Sequence, residues 1–193
     1  MLINIRHHRE KLKKCGYCEL SSKDIPWSEE SLERLASIVD PRDIPYERHE
    51  YGDTGESNPV SFFRILHPKI SGSNLPECSE MIINEKTSDY FQELTGIKNF
   101  IIDRVQTHRY DVGDYISVHV DSESCPEYVY SFMLLLSDTY EGGEFIMYPN
   151  CSTSVTIKPR KFSLIVAHSG IPHEVKTVSS GVRHSMVFFM RPT

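Results

Sequence analysis

Hydrophobic and polar positions follow two different periods along this chain, and the period changes near its middle. Residues 28–39 are predicted to form a helix, because apolar side chains recur every three to four positions behind a capping Ser28. A second helix is predicted over about residues 77–94, and Gly96 is predicted to end it. Residues 1–14 are predicted to form a solvated, basic first helix.

After these helices the apolar positions alternate in short segments that glycine and proline separate. Many short strands at near-regular spacing are typical of an all-β barrel or sandwich. An earlier strand is predicted at Ser61–Leu66, and residues 43–58 are predicted to be a loop or a loosely held hairpin. The eight later strands are predicted at Phe100–Tyr110, Tyr115–Asp121, Tyr128–Ser137, Glu144–Tyr148, Ser154–Ile157, Phe162–Ala167, His173–Val178 and His184–Met190.

Composition places the chain among ordinary soluble globular proteins. Its 193 residues are 39% hydrophobic and 25% charged, which favours one domain with a sizeable core. No apolar run approaches the ~20 residues of a membrane span, and the N-terminus lacks the apolar region of a secretory signal. We therefore expect a cytoplasmic protein with reduced cysteines and no membrane partner. A net charge of -6 disfavours broad nucleic-acid binding, because the phosphate backbone is also negatively charged.

Two N-terminal features have less specific interpretations. Cys15-Gly16-Tyr17-Cys18 supplies half of a zinc site, which His7 and His8 could complete, but the chain has no second C-x-x-C. The basic residues of the first helix favour a solvated surface, with a contact to nucleic acid or an acidic partner as the alternative.

The segment Thr107–Asp121 carries the first candidate chemistry. His119 and Asp121 lie two residues apart in a predicted strand, so that both side chains point to one face of the sheet. An imidazole and a carboxylate that converge in this way can bind one metal ion. A second histidine would complete the two-histidine, one-carboxylate triad of non-haem Fe(II) oxygenases.

His173 is the best candidate for that third ligand. It opens a short strand after a turn and could reach across a barrel mouth to the other two side chains. His168, at the end of an apolar strand, stays open as an alternative. His184 adjoins Arg183 and must point to the opposite face from it. The remaining histidines, His7, His8, His49, His67 and His108, are predicted to be surface or structural residues.

Arg183 and Ser185 form a second pair that shares one strand face. A guanidinium and a hydroxyl placed together can bind a carboxylate, with the arginine in fork geometry. An unpaired arginine inside an apolar barrel would be costly, which suggests an anionic ligand. Taken alone, the strand fits a surface arginine on a sheet edge equally well.

Together these motifs resemble the Fe(II)- and 2-oxoglutarate-dependent dioxygenases, and more closely their prolyl-4-hydroxylase-type subset. The order of His119-x-Asp121, His173 and then Arg183 ten residues later carries the broader resemblance. The closer one covers roughly residues 100–193. The closer resemblance is carried by Arg109–Asp121, the hairpin Glu141–Phe145, His173–Val175 and Gly181–Arg183. This chain differs from the hydroxylases that act on collagen at the anion-binding position, where they usually carry lysine and it has arginine.

The resemblance implies a mainly β fold with flanking helices, a double-stranded β-helix (jelly roll, cupin-like) buttressed by N-terminal helices. Residues 1–193 would form a single dioxygenase domain, in which 1–99 supply helical and strand support with a substrate-side loop and 100–193 form the double-stranded β-helix core. By the same resemblance, iron would be bound by His119, Asp121 and His173, and 2-oxoglutarate by Arg183, Ser185 and Tyr110.

The activity that the resemblance implies is hydroxylation of an unactivated C–H bond, with O2 consumed and succinate and CO2 released. Ascorbate is a further candidate cofactor. The expected substrate is a prolyl residue of a peptide or protein, or an amino-acid-like small molecule. The rim of the site is expected to be acidic and so to favour neutral or basic substrates. The acidic residues that we place there are Asp53, Glu56, Glu123 and Glu127.

Two alternatives stay open at this point. An alkylation-repair-type nucleic-acid demethylase shares the Arg-Tyr and His-x-Asp pattern, although the Gly-Gly-Glu hairpin and the acidic chain favour the hydroxylase. A non-catalytic cupin-like metal-binding or sensor module could use the same fold without turnover. The oligomeric state is not predicted.

Overall fold

The computed structural model describes residues 2–39, 47–51, 61–66, 75–149 and 154–193, with side chains at 5–39, 79–149 and 154–193. Its helices are α1 (Leu2–Cys15), α2 (Glu29–Val39), α3 (Leu75–Ile82), α4 (Glu85–Thr95) and the single turn α5 (Asp121–Ser124). Its strands are β1 (Tyr17–Leu20), β2 (Glu47–Tyr51), β3 (Ser61–Leu66), β4 (Phe100–Tyr110), β5 (Tyr115–His119), β6 (Tyr130–Leu135), β7 (Tyr140–Gly142), β8 (Phe145–Met147), β9 (Val155–Ile157), β10 (Leu164–His168), β11 (His173–Val175), β12 (Val178–Gly181) and β13 (Arg183–Pro192).

Two groups of strands form the walls of the fold. The first wall has the order β1-β10-β6-β13-β4, and the second has the order β5-β11-β8-β9. Strand β3 joins them, because its end pairs with β4 and its start pairs with β5. Strands β7 and β12 form a separate pair. The protein is therefore mainly β with flanking helices, as predicted.

Side chains alternate along the strands of the first wall, so one set packs against the helices and the other faces the space between the walls. On β13, Met186 and Phe188 face the helices, while Arg183 and Ser185 face the space between the walls. The helix-side core is rich in aromatic rings, and Phe91 of α4 lies 4.5 Å from Phe132 between ring centroids. The helices thus cover the outer face of the first wall and leave its inner face for the site.

Each of the eight predicted later strand segments overlaps an observed strand, and Ser61–Leu66 is also confirmed. Three strands were not predicted, namely β1, β7 and β12. Strand β1 has only four residues, and it is stabilised by antiparallel pairing with β10 and by burial of Cys18 and Leu20. Such short segments depend on their tertiary partners, so the local pattern gives little signal for them.

The helix predicted at 28–39 is confirmed as α2, with the Ser31 amide donating to Ser28 Oγ at 3.2 Å. The single helix predicted over residues 77–94 is wrong, since two helices, α3 and α4, occupy this region. Asn84 separates them because its backbone is extended and its side chain accepts a hydrogen bond from the Thr87 amide at 3.0 Å. Gly96 ends α4 as predicted, with a left-handed φ of 80°.

Parts of the predicted 43–58 loop, including Asp53 and Glu56, lie outside the described residues. Within that loop, residues 47–51 form strand β2, which pairs antiparallel with β3 as a hairpin would. In the part of the chain that the structure covers, no helix combines the length and the apolar character that a membrane crossing requires.

Candidate metal and co-substrate site

Three side chains from the second wall converge at its inner face. His119 ends strand β5, Asp121 opens the α5 turn, and His173 opens strand β11. The prediction that the strand extends through Asp121 is wrong, because β5 stops at His119. Val120 keeps an extended backbone, with φ of -128° and ψ of 121°, so His119 and Asp121 still point to one side.

The geometry of this cluster suits a single metal ion. One ligand atom from each of His119, Asp121 and His173 lies within 4.8 Å of the others, and this is the one such group found among the described residues. The two Asp121 carboxylate oxygens lie 3.5 Å from His119 Nε2 and 3.5 Å from His173 Nε2, respectively. Two imidazoles and a carboxylate on one side leave the other side open, which is the donor set that Fe(II) takes in a facial triad.

Backbone carbonyls orient both imidazoles. Nδ1 of His119 lies 2.9 Å from the Ser117 carbonyl oxygen, and Nδ1 of His173 lies 2.9 Å from the Ile171 carbonyl oxygen. A carbonyl oxygen only accepts, so each Nδ1 carries the proton and donates it. Each Nε2 then presents a lone pair toward Asp121, which is the arrangement that a metal requires of its histidine ligands.

Burial and the neighbouring charges shift the pKa values of all three groups in the cluster. Burial opposes ionisation of Asp121, but His173 and His119 outweigh it and lower the pKa of this carboxyl to about 2. Burial lowers the pKa of His173. Burial alone would lower the pKa of His119 as well, but its hydrogen bond to Asp121 and the charge of that carboxylate raise it. A bound cation would replace the proton that the raised pKa of His119 favours, because a metal ion requires the neutral imidazole and the ionised carboxylate.

The other predicted candidates do not join this cluster. His168 is exposed at the opening of the cavity, and its ring lies 4.7 Å from that of Tyr130. His184 is buried on the opposite face from Arg183. The N-terminal cysteines are separated by the chain turn, with Cys15 exposed and Cys18 buried in β1, and neither belongs to a metal-binding group of described residues.

Arg183 is fully buried between the walls. One Nη atom donates to Ser185 Oγ at 3.2 Å, the other lies 3.1 Å from the Met133 sulfur, and the guanidinium carbon lies 5.0 Å from the centroid of the Tyr110 ring. Nε has no acceptor among the described residues. A buried guanidinium without a carboxylate is costly, so this environment fits an anionic ligand.

The glycine hairpin packs directly on this arginine. Gly142 and Gly143 both have positive φ, at 73° and 60°. A Cβ at Gly143 would lie 2.9 Å from Arg183 Cδ, and one at Gly142 would lie 2.3 Å from the Thr177 carbonyl oxygen. Only glycine combines this backbone with so close an approach, which gives the Gly-Gly-Glu motif a physical role.

A cavity of about 460 Å³ connects the two parts of the site. This volume is in the range of small-molecule sites. The triad lines one side of the cavity, and Tyr110 and Ser185 line another. Apolar side chains complete the walls, including Met133, Phe145, Ile165, Ala167, Val187 and Phe189.

Sequence reasoning missed the polar side chains of β4 in this cavity. Gln106 and His108 are buried, line it and lie 2.7 Å apart through their Nε2 atoms. His108, predicted to be a surface or structural residue, also lies 3.4 Å from the Tyr110 hydroxyl. The sequence did contain a signal for them, because Gln106, His108 and Tyr110 lie two residues apart and so share one face of β4.

Comparisons with known proteins agree with the predicted class of protein. Residues 105–191, a little under half of the chain, match the sequence model of the 2OG-Fe(II) oxygenase superfamily. A search of curated protein sequences found no match. Solved structures match over nearly the whole chain at low identity.

A 2OG-Fe(II) oxygenase family oxidoreductase from Burkholderia pseudomallei is similar, with a TM-score of 0.84, 21% identity and coverage of 97% of this chain and 90% of that one. A prolyl-4-hydroxylase from Pseudomonas putida has a TM-score of 0.73 and 18% identity, covering 98% of this chain and 99% of that one. A prolyl hydroxylase from Trichoplax adhaerens, solved with a hypoxia inducible factor peptide, has a TM-score of 0.75 and 16% identity, covering 99% and 91%. At these identities the likeness is one of fold.

The double-stranded β-helix predicted from the sequence is therefore confirmed. The match over residues 105–191 agrees with the predicted enzyme class, the 2OG-Fe(II) oxygenases.

Proposed function

We propose that this oxygenase hydroxylates an unactivated C–H bond of a prolyl residue or of an amino-acid-like molecule. His119, Asp121 and His173 would hold Fe(II), and Arg183, Ser185 and Tyr110 would hold the distal carboxylate of 2-oxoglutarate. When bound, these two groups supply the oxidative chemistry that consumes O2, releases succinate and CO2 and delivers an oxygen atom to the substrate.

One observation carries the proposal. The buried Arg183 guanidinium, with an unpaired Nε, lies in the same interior as a histidine–carboxylate triad. A metal site alone would not need a buried cation nearby, because two positive charges in one apolar interior repel each other. A ligand with a carboxylate at one end and metal-binding oxygens at the other would satisfy both groups.

The residues of the chain have separate parts in this chemistry. Ser117 and Ile171 carbonyls hold the two imidazoles in the tautomer that presents Nε2. The charge-assisted hydrogen bonds of Arg183 would fix the orientation of the co-substrate. The apolar walls exclude water, so that oxidising equivalents reach the substrate instead of solvent.

The test is anaerobic titration of the purified protein with Fe(II) and 2-oxoglutarate, followed by succinate measurement in air. We expect a 2-oxoglutarate-dependent absorbance band and slow succinate formation, stimulated by a prolyl peptide or amino acid. His119→Ala should abolish both signals. Full succinate production by that variant would exclude the assignment. Robust turnover of methylated oligonucleotides would instead favour the alkylation-repair alternative.

A further inference from the structure

The opening of the cavity carries two charged side chains that the proposed chemistry does not use. Arg104, Glu123, Ser124 and His168 are exposed and line the cavity, so they form its mouth. Arg104 extends from β4, and Glu123 and Ser124 belong to the α5 turn that Asp121 begins.

The backbone at Arg104 is strained. Its φ is 49°, a left-handed value that is uncommon for a residue with a side chain. Strand β4 carries a β-bulge at this point, because the register passes from Val187 opposite Gln106 to Phe189 opposite Asp103. Two residues, Arg104 and its successor, therefore face one residue of β13. Bulges beside active sites commonly redirect a side chain.

The surroundings hold this strained conformation in place. The Asp103 carboxylate accepts a hydrogen bond from the Arg104 amide at 2.8 Å, and its other oxygen lies 3.3 Å from Arg191 Nε. Backbone strain of this kind is concentrated at functional sites. The strained backbone thus directs the Arg104 side chain to the mouth.

Both mouth charges lack a partner of opposite sign in the part of the chain that the structure describes. Arg104 donates from one Nη to Ser124 Oγ at 3.3 Å, and it has no carboxylate within 4.0 Å there. Glu123 acts on His119 through its charge but pairs with no described cation. Glu127, by contrast, lies 3.5 Å from Arg191 and outside the cavity lining. The mouth therefore carries both signs of charge, and its predicted acidic character is incomplete.

We infer that Arg104 and Glu123 are specificity residues that bind the carboxylate and the ammonium group of a free α-amino acid. This inference rests on the proposed function and narrows its substrate. A zwitterion satisfies an unpaired cation and an unpaired anion at once through charge-assisted hydrogen bonds. A residue inside a peptide offers only neutral amides to the same groups. Beyond the mouth, apolar Val187, Phe189 and Ala167 would contact the side chain of the amino acid.

The test compares free and capped amino acids on the full chain loaded with Mn(II) and 2-oxoglutarate. Binding of the twenty common L-amino acids would be measured by calorimetry, with L-proline, L-prolinamide, N-acetyl-L-proline and a capped Gly-Pro-Gly peptide as the matched series. We expect at least one free amino acid to bind and each cap to weaken it about 10- to 100-fold, as loss of a hydrogen bond to a charged group does.

Arg104→Gly is the decisive variant, because glycine adopts the positive φ without strain. We expect its thermal stability to equal or exceed that of the wild type. It should bind the free amino acid about 10- to 100-fold more weakly and no longer distinguish acid from amide. If Arg104 serves only to connect β4 to α5 through its hydrogen bond to Ser124, Ser124→Ala will weaken amino-acid binding as much as Arg104→Gly does. Glu123→Gln should remove the discrimination against the N-acetyl form.

The outcomes separate this inference from the proposed function. Three results would overturn the inference but leave the proposed function intact. The protein could prefer the capped peptide, or bind the acid and the amide equally. It could also bind 2-oxoglutarate but no free amino acid. Loss of 2-oxoglutarate binding in the wild-type protein would overturn the proposed function itself. Arg160→Gly, at an exposed position outside the cavity, controls for loss of surface charge.

Discussion

His119 and His173 lie directly opposite each other on antiparallel strands β5 and β11, and their ring centroids are 4.3 Å apart. Residues 54 positions apart in the chain thus become cross-strand neighbours. Asp121 completes the cluster from the turn that follows, with one carboxylate oxygen toward each ring. The site therefore depends on the register of this single strand pair.

Removal of the shared carboxylate should abolish metal binding. Asp121→Ala leaves two imidazoles without their common anionic partner, so we expect a loss in Mn(II) affinity of more than about 100-fold, since even outer-shell partners cost about 10- to 100-fold. Calorimetric titration of the two proteins measures this. Asp138→Ala, which removes an exposed carboxylate away from the triad, is the control and should bind as the wild type does. Unchanged affinity in Asp121→Ala would mean that the metal binds elsewhere.

Replacement of the buried Arg183 should abolish binding of 2-oxoglutarate without lowering the stability of the ligand-free protein. In the ligand-free protein, Arg183→Met replaces a buried charge, whose Nε has no acceptor among the described residues, by an apolar side chain. We therefore expect stability equal to or above that of the wild type. With Mn(II) and 2-oxoglutarate at 100 times its Kd, the wild-type Tm should rise by roughly 5–10 °C. The variant should show no such rise.

Differential scanning calorimetry with and without the co-substrate checks both halves of this prediction. Succinate, which lacks the keto group, serves as the control ligand for the anion site alone. A variant that is strongly destabilised without ligand, or that keeps the full shift with it, would show that Arg183 has a structural role instead.

The glycine hairpin offers a matched pair of substitutions. Gly143→Ala and Gly113→Ala both force alanine into a positive φ, so each should cost about 1–3 kcal/mol of unfolding free energy. Only the Cβ at Gly143 meets Arg183, whereas nothing lies within 4 Å of one at Gly113. We expect the Kd for 2-oxoglutarate to rise about tenfold in Gly143→Ala alone, because the guanidinium must shift. An equal effect in both variants would exclude the hairpin from positioning the arginine.

We propose that residues 1–193 fold as a single domain, with the N-terminal helices as part of its core. Phe91 of α4 is fully buried and its ring lies 4.5 Å from Phe132 and 5.7 Å from Phe188. Phe91→Ala should therefore cost about 3–5 kcal/mol and lower one cooperative transition by roughly 6–20 °C. Thermal unfolding followed by circular dichroism and by intrinsic fluorescence measures the transition.

Ile83→Ala, at a position that is 48% exposed, is the control and should change stability by less than about 0.5 kcal/mol. Two separate transitions in the wild type, or loss of the helical signal alone in Phe91→Ala, would contradict a single domain.

The sequence by itself indicated the class of protein and two pairs of residues in its candidate site. Strand alternation identified the shared faces of His119 with Asp121 and of Arg183 with Ser185, because the period of two is a local property of an extended backbone. Glycine and capping signals likewise placed the ends of α2 and α4.

Only the tertiary structure decided the features that depend on distant parts of the chain. The choice of His173 over His168 follows from its pairing with β5, and strand β1 exists because β10 accepts it. The bulge that directs Arg104 to the mouth arises from the register between β4 and β13. Such registers are set by packing between strands far apart in sequence, which no local pattern contains.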